Sequence, residues 1–476
     1  MAYGDPIKKL FTPIKINQLE IRNRIVLPAM HLGYTPGGVV SDRLVEFYRE
    51  RAEGGVGLIV VGGCTVDEYG GMSEMIALHE DRFIEGLSLL AQAVQAEGAR
   101  LFAQLYQAGR YAHSFLMGGR TPLAPSAIRS KLTGETPKAM DLDEIEMVQQ
   151  SFVQAALRAR TAGLDGVEVL GRAGSLISQF LSPITNKRED GYGGSWENRV
   201  RFGREVVEKV RQAVGPDFPV MVRVAGNDFM PGGNTNKEAA LFAQFLEAAG
   251  ADAINVTGGW HETRVPQLTM MVPQGAFTYL AQGVKQQVKI PVVACNRVND
   301  PLMADQILRQ GQADLIGMAR GLIADPNLPN KARGGNLQAI QHCIACNQGC
   351  FDEVFKLGPV TCLVNPRTGR EKETPVIRAE KKKKVLVIGG GPAGMMAAVT
   401  AARRGHQVFL YERHPDLGGQ LPLAAIPPGR QEMAALGRDL SYQLGLFDVE
   451  VNLNQDVTLP LLAAVSPDAV VVATGA

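Results

Sequence analysis

The sequence has little of what marks a secreted, membrane-bound or nucleic-acid-binding protein. Only two of its 476 residues are tryptophan, and aromatic residues make up 6%. No apolar run reaches the roughly 18 residues a membrane span needs, and the opening MAYGDPIKKLFTPIKI lacks the apolar core of a signal peptide. Net charge is nearly absent: 49 Lys and Arg against 48 Asp and Glu leave +1. That balance removes the electrostatic case for nucleic acid or an anionic membrane as partner. The six cysteines do not resemble a disulfide framework, because four of them fall within twenty residues. A cytoplasmic location is the expectation that remains. Glycine, by contrast, is abundant at 53 residues, which suits many βα turns and phosphate loops.

Residues 1–335 repeat one rhythm, a short apolar run followed by a helical pattern. The runs are Ile25–Met30, Leu58–Gly63, Arg100–Leu105, Gly166–Gly171, Val220–Ala225, Ala253–Gly258, Val292–Asn296 and Leu315–Arg320. Continuous apolar strands alternating with helices indicate a covered parallel sheet. Eight such units in this length match a closed (β/α)8 TIM barrel, with an open doubly wound sheet as the competing arrangement. Residues 336–370 break the rhythm. Residues 371–384, EKETPVIRAEKKKK, read as an exposed charged linker, the Lys381–Lys384 run being a solvated approach to a strand. From Val385 the pattern VLVIGGG, helix, QVFLYER opens a Rossmann-like domain over 385–476, and DAVVVATGA reads as a further buried strand. Fewer strands remain than such a domain needs, so the domain reads as partial. The expected class is α/β throughout.

Cys343, Cys346, Cys350 and Cys362 form C-x2-C-x3-C-x11-C. Four soft thiolates favour zinc or an iron–sulfur centre. Structural zinc usually takes paired C-x2-C knuckles, so this spacing favours a 4Fe-4S cluster, with zinc or free thiols as alternatives. Cys64 and Cys295, at the ends of apolar runs, read as small buried residues. Gly389, Gly391 and Gly394 make a G-x-G-x-x-G between strand and helix, and Glu412 ends the next strand eighteen residues after Gly394. The helix N-terminus there can hold a pyrophosphate and the acid a ribose, for FAD or NAD. Gly418-Gly419-Gln420 adds a second backbone approach. Within the barrel, Gln104 and Arg223 interrupt apolar strands and need buried partners. Arg297 follows the seventh strand and Arg320 ends the eighth, where barrels commonly bind phosphate. Each arginine suits either a bound anion or an ion pair between domains.

The segments NRIVLPAM, LIVVGG, QLYQAGR, SPITNKREDGYGGSWENRVRF, GGWHETR, NRVND and GMARGLIADP occur in one order, followed by the four-cysteine pattern. Together they resemble the old yellow enzyme superfamily, in the multi-domain branch of 2,4-dienoyl-CoA reductase, 2-enoate reductase and trimethylamine dehydrogenase. The resemblance spans the chain. It implies FMN in the barrel mouth against Ala29, Met30, His31, Gly63, Gln104 and Arg223, with Arg297, Ala319 and Arg320 at its phosphate. It also implies a 4Fe-4S cluster on the four cysteines, and FAD on Gly389, Gly391, Gly394, Glu412 and Gln420. NAD(P)H would supply electrons through FAD and the cluster to FMN.

Two departures bear on the reaction. The reductases carry a proton-donating tyrosine in the loop after the fourth strand, where this chain has Gly174-Ser175-Leu176-Ile177. Serine is a far weaker acid than a phenol. His261 matches the family's second active-site residue, a core histidine being the competing reading. Tyr106, Tyr111 and Tyr192 are further candidates, Tyr192 lying in the structural YGGS turn. Leu170 and Ala173 replace the paired residues that hold a simple enone oxygen, which argues for a bulky activated substrate. No cysteine stands at the position of covalent flavin attachment. The resemblance thus implies NAD(P)H-dependent reduction of a conjugated C=C bond in an acyl-CoA or enoate, an aromatic or polycyclic acyl-CoA being the sharper form. The alternatives are an amine dehydrogenase passing electrons outward and a non-catalytic electron-transfer subunit. The partner expected is a small-molecule substrate, and a homo-oligomer is left open.

Overall fold

The computed structural model describes residues 7–71 and 74–475. Eight parallel strands close into a ring: β1 (Ile25–Leu27), β2 (Leu58–Thr65), β3 (Arg100–Tyr106), β4 (Gly166–Gly171), β5 (Val220–Ala225), β6 (Ala253–Thr257), β7 (Val292–Ala294) and β8 (Leu315–Gly317). Each pairs with its successor, and β8 returns to β1 through Ile316 against Ile25 and Gly317 against Val26. The architecture is therefore a TIM barrel and not an open sheet.

Strand alternation sorts the side chains. Val26, Leu58, Val60, Phe102, Met221, Ala253, Val293 and Leu315 fill the interior, capped by Ile16 and Ile21 of a short hairpin. Ile25, Leu27, Ile59 and Val61 face outward into the larger core beneath the helices. Those helices include α1 (Asp42–Glu53), α2 (Ile84–Ala96), α3 (Leu142–Thr161), α4 (Trp196–Val214), α5 (Asn236–Ala248), α6 (Thr278–Lys285) and α7 (Pro301–Arg309). Their starts are written locally. Asp141 with Glu144 and Thr235 with Glu238 form capping boxes, and Ser41, Ser195 and Asp300 accept backbone N–H groups at α1, α4 and α7.

Three expected strands end two or more residues early. β1 stops at Leu27, ahead of Pro28; β7 stops at Ala294, because Asn296 (φ 73°) and Arg297 (φ 58°) turn into the left-handed region. β8 stops at Gly317, and Arg320 lies in the short helix Ala319–Ala324 instead of ending the strand. The charged stretch 371–384 is mostly exposed, but its first residue, Glu371, is buried against α1 by an ion pair to Arg51.

A second parallel sheet follows, ordered β11 (Glu450–Asn452), β10 (Gln407–Tyr411), β9 (Lys384–Ile388), β12 (Ala469–Val472). Helix α8 (Pro392–Arg403) joins β9 to β10, and α9 (Met433–Leu446) packs on α8. β12, expected to be buried, is largely exposed, with Val472 at 70%. It pairs only with β9 among the described residues, so one side of it has no sheet neighbour. No helix among the described residues is long and apolar enough to cross a membrane.

Candidate active site

Above the apolar layer the barrel interior turns polar. Phe102 faces inward, and the period of two brings Gln104 to the same side. Gln104 Nε2 donates to Glu168 Oε1 at 2.6 Å, and Asn255 Nδ2 donates to Glu168 Oε2 at 2.7 Å. Cys295 Sγ donates to Asn255 Oδ1 at 3.1 Å, while Arg223 Nη1 donates to the Ala29 carbonyl at 3.1 Å. Strands β3 to β6, and Cys295 just past β7, thus each place a polar group in the barrel interior. Several polar atoms there are buried without a partner: Nε of Arg172, Nε of Arg223 and Oγ1 of Thr257. Burial, with the nearby Arg223 charge, pushes the Arg172 guanidinium down to about 9. Orphaned buried donors are rare unless a ligand completes them, and this donor set fits the polar edge of a flavin ring.

Most of the expected site residues surround this mouth. Ala29 is buried, and Met30 and His31 are half-buried, with burial lowering the His31 imidazole to about 4. A β-carbon on Gly63 would stand 2.8 Å from Tyr106 Cβ, so only glycine lets the backbone lie against that ring. Burial raises the Tyr106 phenol above its usual range. Ser175 is buried at the N-cap of the short helix Leu176–Leu181, and its hydroxyl donates to the Leu170 carbonyl at 3.2 Å. His261, on the loop after β6, is an exposed residue and not a core histidine. Its ring lies edge-on to Tyr111 at 5.8 Å and to Phe355 at 6.4 Å. Partial desolvation of the ring and the Arg172 charge both disfavour its imidazolium form.

The two arginines of the phosphate expectation are both engaged. Arg297 Nε donates to the Val272 carbonyl at 2.9 Å, and its fork pairs with Glu432, just before α9. Arg320 Nη1 donates to Asn347 Oδ1 at 2.7 Å and to the Leu268 carbonyl. Ala319 opens the helix that carries Arg320.

Asn347 belongs to the cysteine loop, so Arg320 ties that loop to the barrel rim. Asn299, after β7, adds a second tie by donating to the Cys343 carbonyl at 2.8 Å. Cys343, Cys346, Cys350 and Cys362 line one small cavity with Arg320, Ile344 and Val364. Cys350 and Cys362 pack on the barrel core, and Cys343, Cys346 and Cys362 on the core of the second sheet. The thiols therefore sit between the two halves of the molecule. Burial pushes Cys350 up to about 11 and Cys362 up to about 12, so thiolates there need a bound cation. Among the described residues no three cysteines have sulfurs within 4.8 Å of one another; Glu68, His79 and Glu80 alone make such a group. Four thiols around one cavity make a donor set for a soft metal centre.

In the second sheet, a β-carbon on Gly394 would stand 1.9 Å from the Gly389 carbonyl oxygen. The loop can pack on α8 only with glycine there. Gly391 caps α8 without a side-chain partner, and nothing would lie within 4 Å of its β-carbon. The first N–H groups of α8 are thus free to meet an anion. Glu412 accepts from Gly390 N at 2.6 Å and from His414 N at 2.9 Å. Burial opposes its charge, but those two N–H groups hold it below the usual carboxylate range. Gly418 N donates to the Gly390 carbonyl at 2.8 Å, and Gln420 is exposed beside that contact.

Residues 9–338 match the model of the NADH:flavin oxidoreductase / NADH oxidase family. The chain belongs to that family. It is an oxidoreductase of the multi-domain old yellow enzyme branch, and residues 384–436 match the FAD dependent oxidoreductase model. A metal reductase of Desulforamulus reducens is 56% identical over 98% of this chain and 70% of its own length. An NADH oxidase of Thermoanaerobacter brockii is 42% identical over 98% and 72%. A solved 2-naphthoyl-CoA reductase in complex with 2-naphthoyl-CoA superposes with a TM-score of 0.96 at 37% identity, covering 98% of this chain and 74% of that one.

Glu168 and Asn255 escaped the sequence reading although their signal was the one that marked Gln104 and Arg223, whereas Arg172, just past β4, carried no such signal. Glu168 and Asn255 are polar residues inside the apolar strands VEVLG and AINVT. Arg110, Glu262 and Trp260 had no comparable signal, since loops bring them together.

Proposed function

We propose that this chain reduces a conjugated C=C bond in an acyl-CoA or enoate, with an aromatic or polycyclic acyl-CoA as the sharper form. When bound, the FMN, 4Fe-4S cluster and FAD supply hydride chemistry at the substrate and a relay of electrons from NAD(P)H. Ala29, Met30, His31, Gly63, Gln104 and Arg223 hold the flavin, and Arg297, Ala319 and Arg320 its phosphate. Cys343, Cys346, Cys350 and Cys362 hold the cluster, and Gly389, Gly391, Gly394, Glu412 and Gln420 the second flavin nucleotide. His261 and Tyr106 stand at the mouth where substrate enters.

One observation carries this reading. The loops after β7 and β8 that bear Arg297 and Arg320 also bond the cysteine loop, through Asn299 to Cys343 and Arg320 to Asn347. A flavin at that rim would have the cluster beside it. The positive charges of Arg172 and Arg223 favour an enolate oxygen developing over the mouth. Leu170 and Ala173 leave that region without the usual polar pair, which suits a bulky thioester. The likeness to the naphthoyl-CoA enzyme supports the aromatic form. The test is NAD(P)H oxidation by the purified protein with 2-naphthoyl-CoA, dienoyl-CoA and cinnamate. Turnover with none of them would overturn the proposal.

The relative named a metal reductase favours a second reading, in which the same relay delivers electrons to an external oxidised metal complex. NAD(P)H-dependent reduction of ferric citrate, with no turnover of any acyl substrate, would select it.

A further inference from the structure

The resemblance implies a proton-donating tyrosine in the loop after β4, and this chain has Ser175 there, with its hydroxyl committed to the Leu170 carbonyl. A phenol nevertheless stands at that loop. Tyr111 arrives from the loop after β3 and lies directly on Gly174. A β-carbon on Gly174 would be 2.4 Å from Tyr111 Cε2 and 2.7 Å from its Oη, with Trp260 Cε3 at 2.9 Å. Gly174, with φ 85°, is thus the vacancy into which the tyrosine fits. Tyr111 is 4% exposed, and its buried Oη, which only the Arg110 guanidinium approaches, has no acceptor for its proton among the described residues. A buried hydroxyl without an acceptor is costly, so an incoming group is the natural acceptor.

The surroundings hold this phenol in place. Its ring is edge-on to Trp260 at 6.4 Å and to His261 at 5.8 Å. Trp260 is fixed by its Nε1 donating to Asp228 Oδ1 at 2.8 Å. The Arg110 guanidinium lies 5.2 Å from the Tyr111 ring centre and is paired with Glu262 at 2.5 Å, both nearly buried. Burial, and next the Glu262 charge, keep the phenol protonated at neutral pH, while Arg110 is placed to offset a phenolate.

We propose that Tyr111, supplied from the loop after β3, is the proton donor to the substrate's α-carbon in place of the absent tyrosine at position 175. The inference rests on the C=C reduction proposed above. A hydride, carrying two electrons that originate in NAD(P)H, adds to the β-carbon as the π bond opens. The Oη–H bond of Tyr111 breaks, its proton forms the new bond at the α-carbon, and the phenolate regains a proton from solvent.

The test is Tyr111→Phe in the holoenzyme, with an unsaturated acyl-CoA in D2O. Turnover is expected to fall ~10²–10⁴-fold, the usual worth of a positioned acid, with substrate affinity nearly unchanged. The wild type is expected to deliver deuterium to one face of the α-carbon and the variant to both. A variant that keeps both rate and single-face delivery overturns the proposal, as does a Tyr106→Phe variant that alone loses them. Should Tyr111→Phe fail to fold, 3-fluorotyrosine placed at 111 should move the alkaline limb of the kcat profile to lower pH, and an unmoved limb overturns the proposal equally. A wild type inactive on every unsaturated acyl substrate removes the underlying reading and this inference with it. An active wild type with an unaffected Tyr111→Phe removes this inference alone.

Discussion

Replacing Arg51 by methionine should loosen the segment that follows the cysteines from the barrel. Arg51 Nη1 donates to Glu371 Oε1 at 2.8 Å, and the two side chains are 0% and 1% exposed. The same guanidinium donates to the carbonyls of Phe47 at 2.7 Å and Leu322 at 3.1 Å, and lies 3.5 Å from the Phe47 ring centre. Yet Arg51 Nη2 and Glu371 Oε2 have no partner. A buried pair with unmet atoms gains little over an apolar replacement of both members, whereas removing one member strands a buried charge at a cost of ~3–5 kcal/mol. Arg51→Met or Glu371→Leu alone should therefore cost ~3–5 kcal/mol, and the double variant should recover most of it. At about 2.1 cal/mol/K per residue, a barrel of roughly 335 residues shifts by about 1.4 °C per kcal/mol, so each single variant should melt roughly 4–7 °C lower. Scanning calorimetry of the parent, both singles and the double reads the cycle. Singles within about 1 kcal/mol of the parent, or a double no better than either single, would refute the reasoning.

Further outcomes follow from the same geometry. Gly394→Ala drives a methyl group into the Gly389 carbonyl, 1.9 Å from the ideal β-carbon, so FAD retained after gel filtration should drop at least tenfold (~1.4 kcal/mol or more). Arg223→Ala removes a buried donor at the barrel mouth, and FMN content should fall while FAD content stays unchanged. Burial raises Asp228 from 3.8 to about 6. The folded state therefore binds the extra proton, and stability should fall as pH rises from about 4 to 6 and level off above, by at most ~3 kcal/mol. Asp228→Asn should flatten that limb in urea unfolding, and an unchanged pH profile would contradict the assignment.

The sequence carried the barrel because its strands are buried on both faces and read as continuous apolar runs. β4 and β5 fall on their expected residues, Gly166–Gly171 and Val220–Ala225. The run at Leu315–Arg320 overshot because hydrophobicity does not change where β8 gives way to the helix at Ala319. Phosphate-loop glycines were legible because sterics fixes them, as at Gly394. Glu371 was not, because its burial depends on Arg51, some 320 residues away. The polar interior was half legible: a lone polar residue in an apolar strand betrays Gln104 and Arg223, and read consistently would have given Glu168 and Asn255. Tyr111 was legible only as one tyrosine among several, since its position on Gly174 is a contact between loops.

The most direct measurement is the iron, acid-labile sulfide and zinc content of anaerobically purified protein, with its visible spectrum. About four iron and four sulfide per chain, bound by cysteines 343, 346, 350 and 362 and lost in Cys350→Ser, are expected alongside flavin absorbance. Stoichiometric zinc without iron, or a colourless protein, would contradict the account.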